Sequence, residues 1–527
     1  MPKIARMDRF SALWFALAFA APLSHAQQHL RDREIHDSDT LAWWHTTVAL
    51  SDDSMEGRDT GSAGYQRAAD YVANRFKTAG LAPAGENGSY FQVVPMHEIA
   101  VVPQGTSFTL IGANGTQTPL QFLQQITITP AADLAANFEA QLTFRGYCGK
   151  DAMADIAGKI VVCFGTQRDG LPSASVRAAN ARDGGALGLI NIDDPYFSIE
   201  PPRWPYAYAR NVTLRARQPA KPPAALASMR LSAEAFAGLL AGTSQEADAI
   251  LKSGGAKQPL PSFEIPATLR VQLHFTQRDI SSPNVIAKLP GSDARLKGEY
   301  VVIAAHLDGY GFGTPVHGDN LYNGTLDDAA YVALLIQTAD DIKAHRLRAP
   351  KRSILFVAFT GEEKGLLGSH WFVEHPTVPA EQLAADVNLD QLRPLFPLNI
   401  LTAEALGDTT LGATARAVAM PMHIEIRADV EPERNLLYRA DQLPFLSIHV
   451  PAISFIFGYD PNTEAEKRYR EWYQTRYHRP QDDITQPMNF AAAAKFNTFF
   501  YRLVQTICNE AKRPAIYPTS SFAADKH

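Results

Sequence analysis

Residues 300–308 read YVVIAAHLD, and residues 353–363 read SILFVAFTGEE. Each stretch is an apolar run of strand length that ends in charged or metal-binding side chains. Apolar runs of similar length recur at 284–289, 385–389 and 452–457, with helical patterns between them. Apolar strands that alternate with helices predict a parallel or mixed sheet covered by helices on both faces. We therefore predict an α/β fold with a mixed, mostly parallel central sheet.

Length and composition set the limits within which this fold must fit. The chain has 527 residues, of which 46% are hydrophobic and 20% are charged, so we expect a folded protein of several domains at roughly 100–200 residues per domain. The net charge of −6 offers no basic excess for a phosphate backbone, which excludes nucleic acid as an expected partner. Three cysteines are too few for a disulfide framework or a cysteine-rich zinc module.

The N-terminus has the pattern of a secretory signal. Three positive side chains precede an apolar run at 10–23, and SHA at 24–26 offers small residues before a cleavage point. The run is shorter than the ~20 residues that span a bilayer, so we expect cleavage after Ala26 rather than a retained anchor. A periplasmic or secreted protein without stable membrane insertion follows. In that oxidising compartment we predict a bond between Cys148 and Cys163, with Cys508 free.

Candidate site residues follow the predicted strands or lie in nearby loops. Ligands of open α/β sheets gather outside the carboxyl ends of the strands. Taken singly, each candidate has an ordinary explanation, such as a helix N-cap for Asp328 or a solvated turn for the paired glutamates. Taken together they form a set of imidazoles and carboxylates: His306, Asp308, Asp327, Asp328, Glu362, Glu363, Asp390 and His478.

This set predicts a metal centre. Imidazole and carboxylate ligands without a thiolate suit zinc, or else cobalt, manganese or iron. Five ligands from this set would be more than one tetrahedral zinc ion uses. Two ions ~3.5–4 Å apart that share one bridging carboxylate would account for five ligands. One carboxylate would then remain as a base. Asp308, two residues after His306, is placed to orient the imidazole.

The motifs AAHLDG, NGTLDDAA, TGEEKGLLGS, VNLDQ and YHRP occur in this order between about 280 and 510. Together they resemble the bacterial leucyl aminopeptidase-type family of two-zinc exopeptidases, metallopeptidase family twenty-eight, which implies the zinc exopeptidase fold. The segment SMEGRDTG at 54–61 resembles the N-terminal part of the same family. The motifs GKIVVC and GGALGLI resemble a protease-associated domain, which is a β-rich, non-catalytic module.

The resemblance implies a role for each matching residue. His306 and Asp390 would bind one zinc ion, Glu363 and His478 would bind the second, and Asp327 would bridge the two. Glu362 would be the general base, Tyr477 would help to hold the oxyanion, and Asp308 would support the catalytic set. Cobalt or manganese could replace zinc. One departure is Leu326, where the family often has Asn or Asp before the bridging residue.

The predicted domain organisation combines these observations. It has a signal peptide (1–26), an N-terminal part of the peptidase domain (27–100), a protease-associated-like insert (101–275), a catalytic zinc peptidase domain (276–515) and a flexible tail (516–527). We expect a secreted or periplasmic aminopeptidase that removes N-terminal residues from peptides with a water activated by two zinc ions. The alternatives are a carboxypeptidase or dipeptidase, a metal-free binding or receptor protein, and a single-zinc glutaminyl cyclase-like enzyme. The sequence does not indicate an oligomeric state.

Overall fold

The computed structural model describes residues 31–165, 170–217, 226–390 and 392–524. The predicted signal peptide, residues 1–26, lies outside these ranges. The strands of the described residues are β1 (Ala82–Pro83), β2 (Phe91–Val101), β3 (Ser107–Gly112), β4 (Gln117–Leu120), β5 (Ile126–Ile128), β6 (Asn137–Arg145), β7 (Ile160–Phe164), β8 (Gly188–Ile192), β9 (Ala209–Leu214), β10 (Ala227–Leu231), β11 (Ser262–Gln272), β12 (Phe275–Leu289), β13 (Tyr300–His306), β14 (Gly311–Val316), β15 (Asp319–Tyr322), β16 (Ser353–Phe359), β17 (Leu383–Leu389), β18 (Ile400–Glu404), β19 (Glu425–Arg427) and β20 (Ala452–Gly458). The α-helices are α1 (Ser38–Leu50), α2 (Ala63–Thr78), α3 (Ala174–Asp183), α4 (Ala233–Leu239), α5 (Ala247–Gly255), α6 (Ala330–Lys343), α7 (Leu367–Glu374), α8 (Leu411–Ala419), α9 (Gln442–Ser447), α10 (Glu464–Thr475) and α11 (Phe490–Asn509).

The larger sheet has ten strands in the described residues. Its order is β19-β18-β20-β17-β13-β16-β12-β2-β9, and β1 pairs with β12. The four central strands, β16, β13, β17 and β20, are parallel, whereas β12 and β18 pair with this centre in the antiparallel direction. The predicted α/β fold with a mixed sheet is therefore confirmed. Because the central strands are parallel, their carboxyl ends meet at one edge of the sheet.

Helices cover both faces of this sheet, which is why its central strands are mostly apolar. In β13, Val301 and Ile303 pack into the core cluster that contains the Trp43 and Trp44 rings of α1. Val302, on the opposite face of the same strand, packs into the cluster that contains side chains of α7 and α9. Alternating side chains thus enter two separate cores, and both cores require apolar residues.

A second sheet of eight strands, in the order β4-β3-β11-β6-β7-β8-β10-β5, lies within the predicted insert. Cys148 and Cys163 form a disulfide there, as predicted, with Cα atoms 5.6 Å apart, and Cys508 is a buried free thiol. One strand of the predicted insert differs from the expectation, because β9 pairs with β2 in the larger sheet. Val212 and Leu214 of β9 bury their side chains against Val94 and Met96 of β2, which holds β9 in that sheet.

The C-terminal segment also differs from the expectation of a flexible tail. As far as residue 524 it packs on the larger sheet's domain, because Ile516 and Phe522 contact the core cluster on the α7 and α9 side. The Tyr517 backbone amide donates to the Asp408 carbonyl at 2.7 Å.

Among the helices of the described ranges, none combines the length and the apolar character needed to cross a membrane.

Candidate functional site

The predicted site residues come together at the carboxyl edge of the parallel strands. His306 is the last residue of β13, Glu362 and Glu363 follow β16, and Asp390 follows β17. Asp327 lies in the short π-helical turn Thr325–Ala329, directly before α6. His478 comes from the loop after α10 and reaches the same place.

Asp327 lies between the two histidines. Its Oδ1 is 3.2 Å from His306 Nε2, and its Oδ2 is 3.2 Å from His478 Nε2. The turn that carries Asp327 is fixed by Asp482, whose carboxylate accepts hydrogen bonds from the Leu326 and Asp327 amides at 3.0 Å each. One carboxylate therefore presents one oxygen to each histidine, which is the arrangement a bridging ligand requires.

The remaining predicted ligands surround this centre. Glu363 Oε2 lies 3.3 Å from His478 Nε2. Ligand atoms of His306, Asp327 and Glu363 all lie within 4.8 Å of one another, and the same holds for His306, Asp328 and Asp390. The second group includes Asp328, which the sequence also explained as a helix cap. In the structure Asp328 Oδ2 instead accepts a hydrogen bond from the His306 amide at 3.2 Å.

Asp308 connects His306 to Glu362 without facing the centre itself. Its carbonyl is 3.0 Å from His306 Nδ1, which fixes the ring with Nε2 toward Asp327. Its Oδ1 accepts the Glu362 amide at 3.0 Å, and its Oδ2 accepts the Thr60 hydroxyl at 2.9 Å. Glu362 Oε2 is 4.0 Å from His306 Nε2, farther than either oxygen of Asp327 is from its histidine.

A cavity of about 270 Å³ opens onto this cluster. Glu362, Glu363, Asp327 and Asp390 line its polar part, and the rings of Tyr310, Tyr438, Tyr477 and His478 line other walls. Tyr477 is 3% exposed, and its hydroxyl oxygen accepts a hydrogen bond from Arg439 Nη2 at 3.3 Å. Six of the predicted site residues line this one cavity: Asp327, Glu362, Glu363, Asp390, Tyr477 and His478. His306, Asp308 and Asp328 are not among its lining residues.

Burial and crowding make the two glutamates hard to ionise in the protein chain alone. Burial raises the pKa of Glu363 to about 8, and the Asp327 carboxylate adds to the shift. Burial also raises the pKa of Glu362 well above its ordinary value, with a further contribution from Asp390. Both shifts show that this cavity has more buried negative charge than the neighbouring side chains neutralise.

The two histidines differ in their surroundings. Burial and, to a lesser extent, the nearby Arg203 charge lower the pKa of His478 to about 3, so the ring is neutral as a metal ligand must be. Burial opposes the charge of His306, but the carboxylates of Asp328 and Glu362 raise its pKa well above its ordinary value. A proton on His306 therefore does what a bound cation would do, since either one neutralises the surrounding carboxylates.

These residues fit a metal centre. Glu363 Oε1 and Asp328 Oδ1 are buried and have no hydrogen-bond partner among the described residues. An ionised oxygen without a partner is costly to bury, whereas a cation at this place would compensate it. The ligand atoms are carboxylate oxygens and imidazole nitrogens at coordination spacing, which suits zinc.

Several residues that support the centre were missed at the sequence level. Arg393 Nη2 lies 3.4 Å from Asp327 Oδ2, and although burial opposes ionisation of Asp327, this guanidinium holds the pKa of Asp327 well below its usual range. Tyr310 Oη lies 2.8 Å from His478 Nδ1. Arg58, inside the noted SMEGRDTG segment, donates to the carbonyls of Leu307 and Asn323 and joins two site loops. These side chains lie far along the chain from most of their partners, so no local pattern marks them.

Residues 284–503, which are 220 of the 527 residues, match the family model described as Peptidase family M28. This part of the chain is similar to that family. A probable zinc metalloprotease of Pyrenophora tritici-repentis is 26% identical over 261 residues, which cover 43% of this chain and 56% of that protein. The chain thus spans about half the length of this curated relative.

Solved structures share the fold over most of the chain. The aminopeptidase from Aneurinibacillus sp. strain AM-1 superposes with a TM-score of 0.59 at 16% identity, covering 91% of this chain and 96% of that one. BSAP, a zinc aminopeptidase from Bacillus subtilis, superposes with a TM-score of 0.57 at 18% identity, covering 91% and 98% of the two chains. At these identities the similarity shows the fold, and the activity is a separate question.

Proposed function

We propose that this protein is a zinc-dependent exopeptidase that removes N-terminal residues from peptides, acting after export to the periplasm or the exterior. The observation that carries the proposal is the position of Asp327 between His306 and His478, with Glu362 at the wall of the same cavity. A metal-free binding protein would not need this arrangement of ligands together with a spare carboxylate.

The ligand set divides into two overlapping groups around Asp327. His306 and Asp390 would hold one zinc ion, Glu363 and His478 would hold the other, and Asp327 would contact both. Zinc in such a site lowers the pKa of a bound water to about 7 and polarises the substrate carbonyl. Asp308, through its carbonyl and carboxylate, keeps the His306 ring and the Glu362 backbone in place.

Glu362 is the residue placed to move the proton. Its carboxylate lines the cavity, and it lies farther from His306 than the Asp327 carboxylate does. A carboxylate at this position would accept the proton of the attacking water and deliver it to the nitrogen of the leaving amine. Burial raises the pKa of Glu362 above its ordinary value in the bare chain, which makes this carboxylate a better proton acceptor than an exposed one.

Tyr477 is placed to stabilise the developing oxyanion. Burial raises its pKa well above the ordinary value, so the hydroxyl keeps its proton at neutral pH. The hydroxyl oxygen accepts from Arg439 and its own proton remains available to a carbonyl oxygen in the cavity. A donor that is already oriented by a second group costs little reorganisation during the reaction.

The shape and charge of the cavity support action at a chain end. At about 270 Å³ it is small, and aromatic side chains close several of its walls. In this proposal the positively charged amine of an unblocked N-terminus would face a metal ion or Glu362, the one lining carboxylate outside the proposed ligand set. Two proteins with similar solved structures are named aminopeptidases, which agrees with this end preference.

Export is part of the same proposal. The predicted cleavage after Ala26 would place the mature N-terminus at Gln27. The disulfide between Cys148 and Cys163 supports an oxidising compartment, because such bonds are rare where thiols are kept reduced. We further propose that the eight-stranded sheet is the core of a protease-associated-like insert. Sequencing the N-terminus of the exported protein tests the cleavage point.

Product analysis by mass spectrometry tests the activity. The zinc-loaded protein should release single residues from the N-terminus of an unblocked peptide and should leave the N-acetylated form intact. The Glu362→Gln variant serves as the matched control for contaminating peptidases. Release of C-terminal residues from the acetylated peptide would show a carboxypeptidase instead, and no cleavage of either peptide would refute the proposed activity.

A further inference from the structure

A second and larger cavity, of about 770 Å³, lies between the insert and the peptidase domain. We call it the arginine cleft, because its lining includes Arg177, Arg203, Arg230, Arg434 and Arg439. Tyr438 and Arg439 line both the arginine cleft and the metal cavity, so the two spaces share a wall. A peptide held at the metal cavity has this cleft beside it.

More arginines than acidic residues line the cleft. Among its described lining residues the acidic ones are Asp194, Glu200 and Glu433, against the five arginines. Glu433 also lies 3.4 Å from Lys257. Glu200 accepts a bidentate hydrogen-bonded pair from Arg439 at 2.7 and 3.0 Å, while Arg203 and Arg434 reach it only at 3.6 and 3.7 Å. Glu200 is thus shared by three arginines, of which Arg434 also lies 3.8 Å from Glu431. Arg230 pairs instead with the buried Asp193, behind the wall of the cleft.

Two of these arginines are buried and incompletely bonded. Arg434 is 5% exposed, and its Nε and Nη2 have no hydrogen-bond acceptor within the described residues. Arg177 is 1% exposed and donates mainly to backbone carbonyls, and its Nη2 likewise lacks an acceptor there. Burial lowers the pKa of Arg177 to about 10, which still leaves it protonated at neutral pH. Unpartnered buried guanidinium groups are costly unless an anion completes them.

The more accessible arginines lie next to the reaction site. The side chains of Arg203 and Arg439 are 29% and 32% exposed. The Arg203 guanidinium lies 4.6 Å from the centre of the Tyr477 ring and contacts His478 Nδ1. Arg203 belongs to the insert, so the insert supplies positive charge within contact of a proposed ligand and of the proposed oxyanion donor.

We propose that the arginine cleft binds carboxylate groups of the substrate peptide, downstream of the N-terminal residue held in the metal cavity. This inference rests on the proposed peptidase function. In this proposal the metal cavity takes the N-terminal residue, and the rest of the peptide extends along the shared wall into the cleft. The carboxylate comes either from the C-terminus of a short peptide or from acidic side chains near its N-terminus.

Four peptides that share an N-terminal leucine separate these sources. The first has three alanines and a free C-terminal carboxylate, and the second is its amide. The third and fourth are amides in which one alanine is replaced by aspartate or by lysine. Since a hydrogen bond to a charged group is worth about 10- to 100-fold, the carboxylate-bearing peptides should exceed the plain amide by that factor in kcat/KM, mainly through KM.

Two variants tie the preference to the cleft. Arg203→Gln and Arg434→Gln should each reduce the preference for the carboxylate-bearing peptides several-fold. Arg270→Gln is the matched control, because Arg270 belongs to the insert and is 51% exposed outside the cleft, where it pairs with Glu139. Melting temperatures show whether each variant folds, and Arg203→Gln remains informative if the loss of buried Arg434 unfolds the chain.

Binding gives a readout apart from turnover. Titration calorimetry with the Glu362→Gln chain should show tighter binding of the free acid or the aspartate peptide than of the plain amide. Equal kcat/KM for acid, amide and lysine peptides in the unaltered enzyme, or a preference for lysine, would overturn the inference while leaving the peptidase function intact. If no peptide is cleaved, the proposed function fails, and equal binding of all four peptides would then overturn the cleft as well.

Discussion

Replacing Glu362 with glutamine should remove turnover while leaving the metal centre in place. The side chain keeps its size, and the backbone amide that anchors it to Asp308 at 3.0 Å is unchanged. Glu362 Oε2 lies 4.0 Å from His306 Nε2, whereas Asp327 lies 3.2 Å from each histidine. These distances favour our proposal that Asp327 is a ligand and Glu362 is the base.

The expected loss follows from the role of the lost oxygen. Removing a positioned general base typically costs ~10²–10⁴-fold in rate, which is about 3 to 5 kcal/mol in activation free energy. The effect should appear in kcat, because the amide of glutamine cannot accept the proton of the attacking water. KM should change little, since the shape of the cavity and its ligands are preserved.

Asp327→Asn is the matched comparison, since it is the same type of substitution on a residue with a different role. It removes the charge that faces both histidines, so metal content should fall. Thermal stability should fall with it, because a bound metal stabilises the native state by mass action. Activity would be lost in both variants, and only metal content and melting temperature separate them.

The assay combines metal analysis by mass spectrometry, melting temperature and peptide turnover on three proteins: the unaltered chain and the two variants. If Glu362→Gln loses metal as readily as Asp327→Asn, Glu362 is a ligand. The proposed roles of Glu362 and Glu363 are then reversed. Near-normal turnover of Glu362→Gln would show that the base is a different residue.

Three further variants test other parts of the structure. Tyr310→Phe removes the hydroxyl 2.8 Å from Nδ1 of His478 and should lower zinc affinity ~10–100-fold in a competition titration; unchanged affinity would refute its orienting role. Cys148→Ser combined with Cys163→Ser removes a disulfide that closes a loop with a sequence separation of 15, and it should lower the free energy of unfolding, measured in urea, by roughly 3 kcal/mol. An unchanged free energy of unfolding would show that the bond is absent in the exported protein. Burial raises the pKa of Glu404 to about 7, so the native state loses stability as the pH rises from the ordinary value of this carboxyl through about 7. Glu404→Gln should therefore raise the melting temperature more at about pH 8 than at about pH 5, and an equal effect at both would contradict the shift.

The strands of the larger sheet could be predicted where both of their faces are buried. The apolar run at 353–359 corresponds to β16, in which every residue is buried. By contrast, β12 begins at Phe275, well before the apolar run at 284–289, and residues 276–279 are exposed and polar. Pairing with β2 makes this stretch a strand, and hydrophobic periodicity carries no information about such pairing.

The site residues likewise fall into those that the sequence could predict and those that it could not. His306, Glu362, Glu363 and Asp390 could be predicted because each follows an apolar strand and the strands are parallel. Arg203, in contrast, is 275 positions from His478 in the chain and belongs to the insert, so only the packing of the two parts brings it to the site.

Titration of the metal-stripped chain with zinc tests the central proposal most directly, with release of the N-terminal residue of an unblocked peptide as the signal. The arrangement of both histidines around Asp327 predicts no activity without metal and full activity once two zinc ions are bound per chain. Undiminished turnover in the fully stripped protein would contradict a metal-dependent peptidase, and so would a zinc-loaded chain that releases no residue.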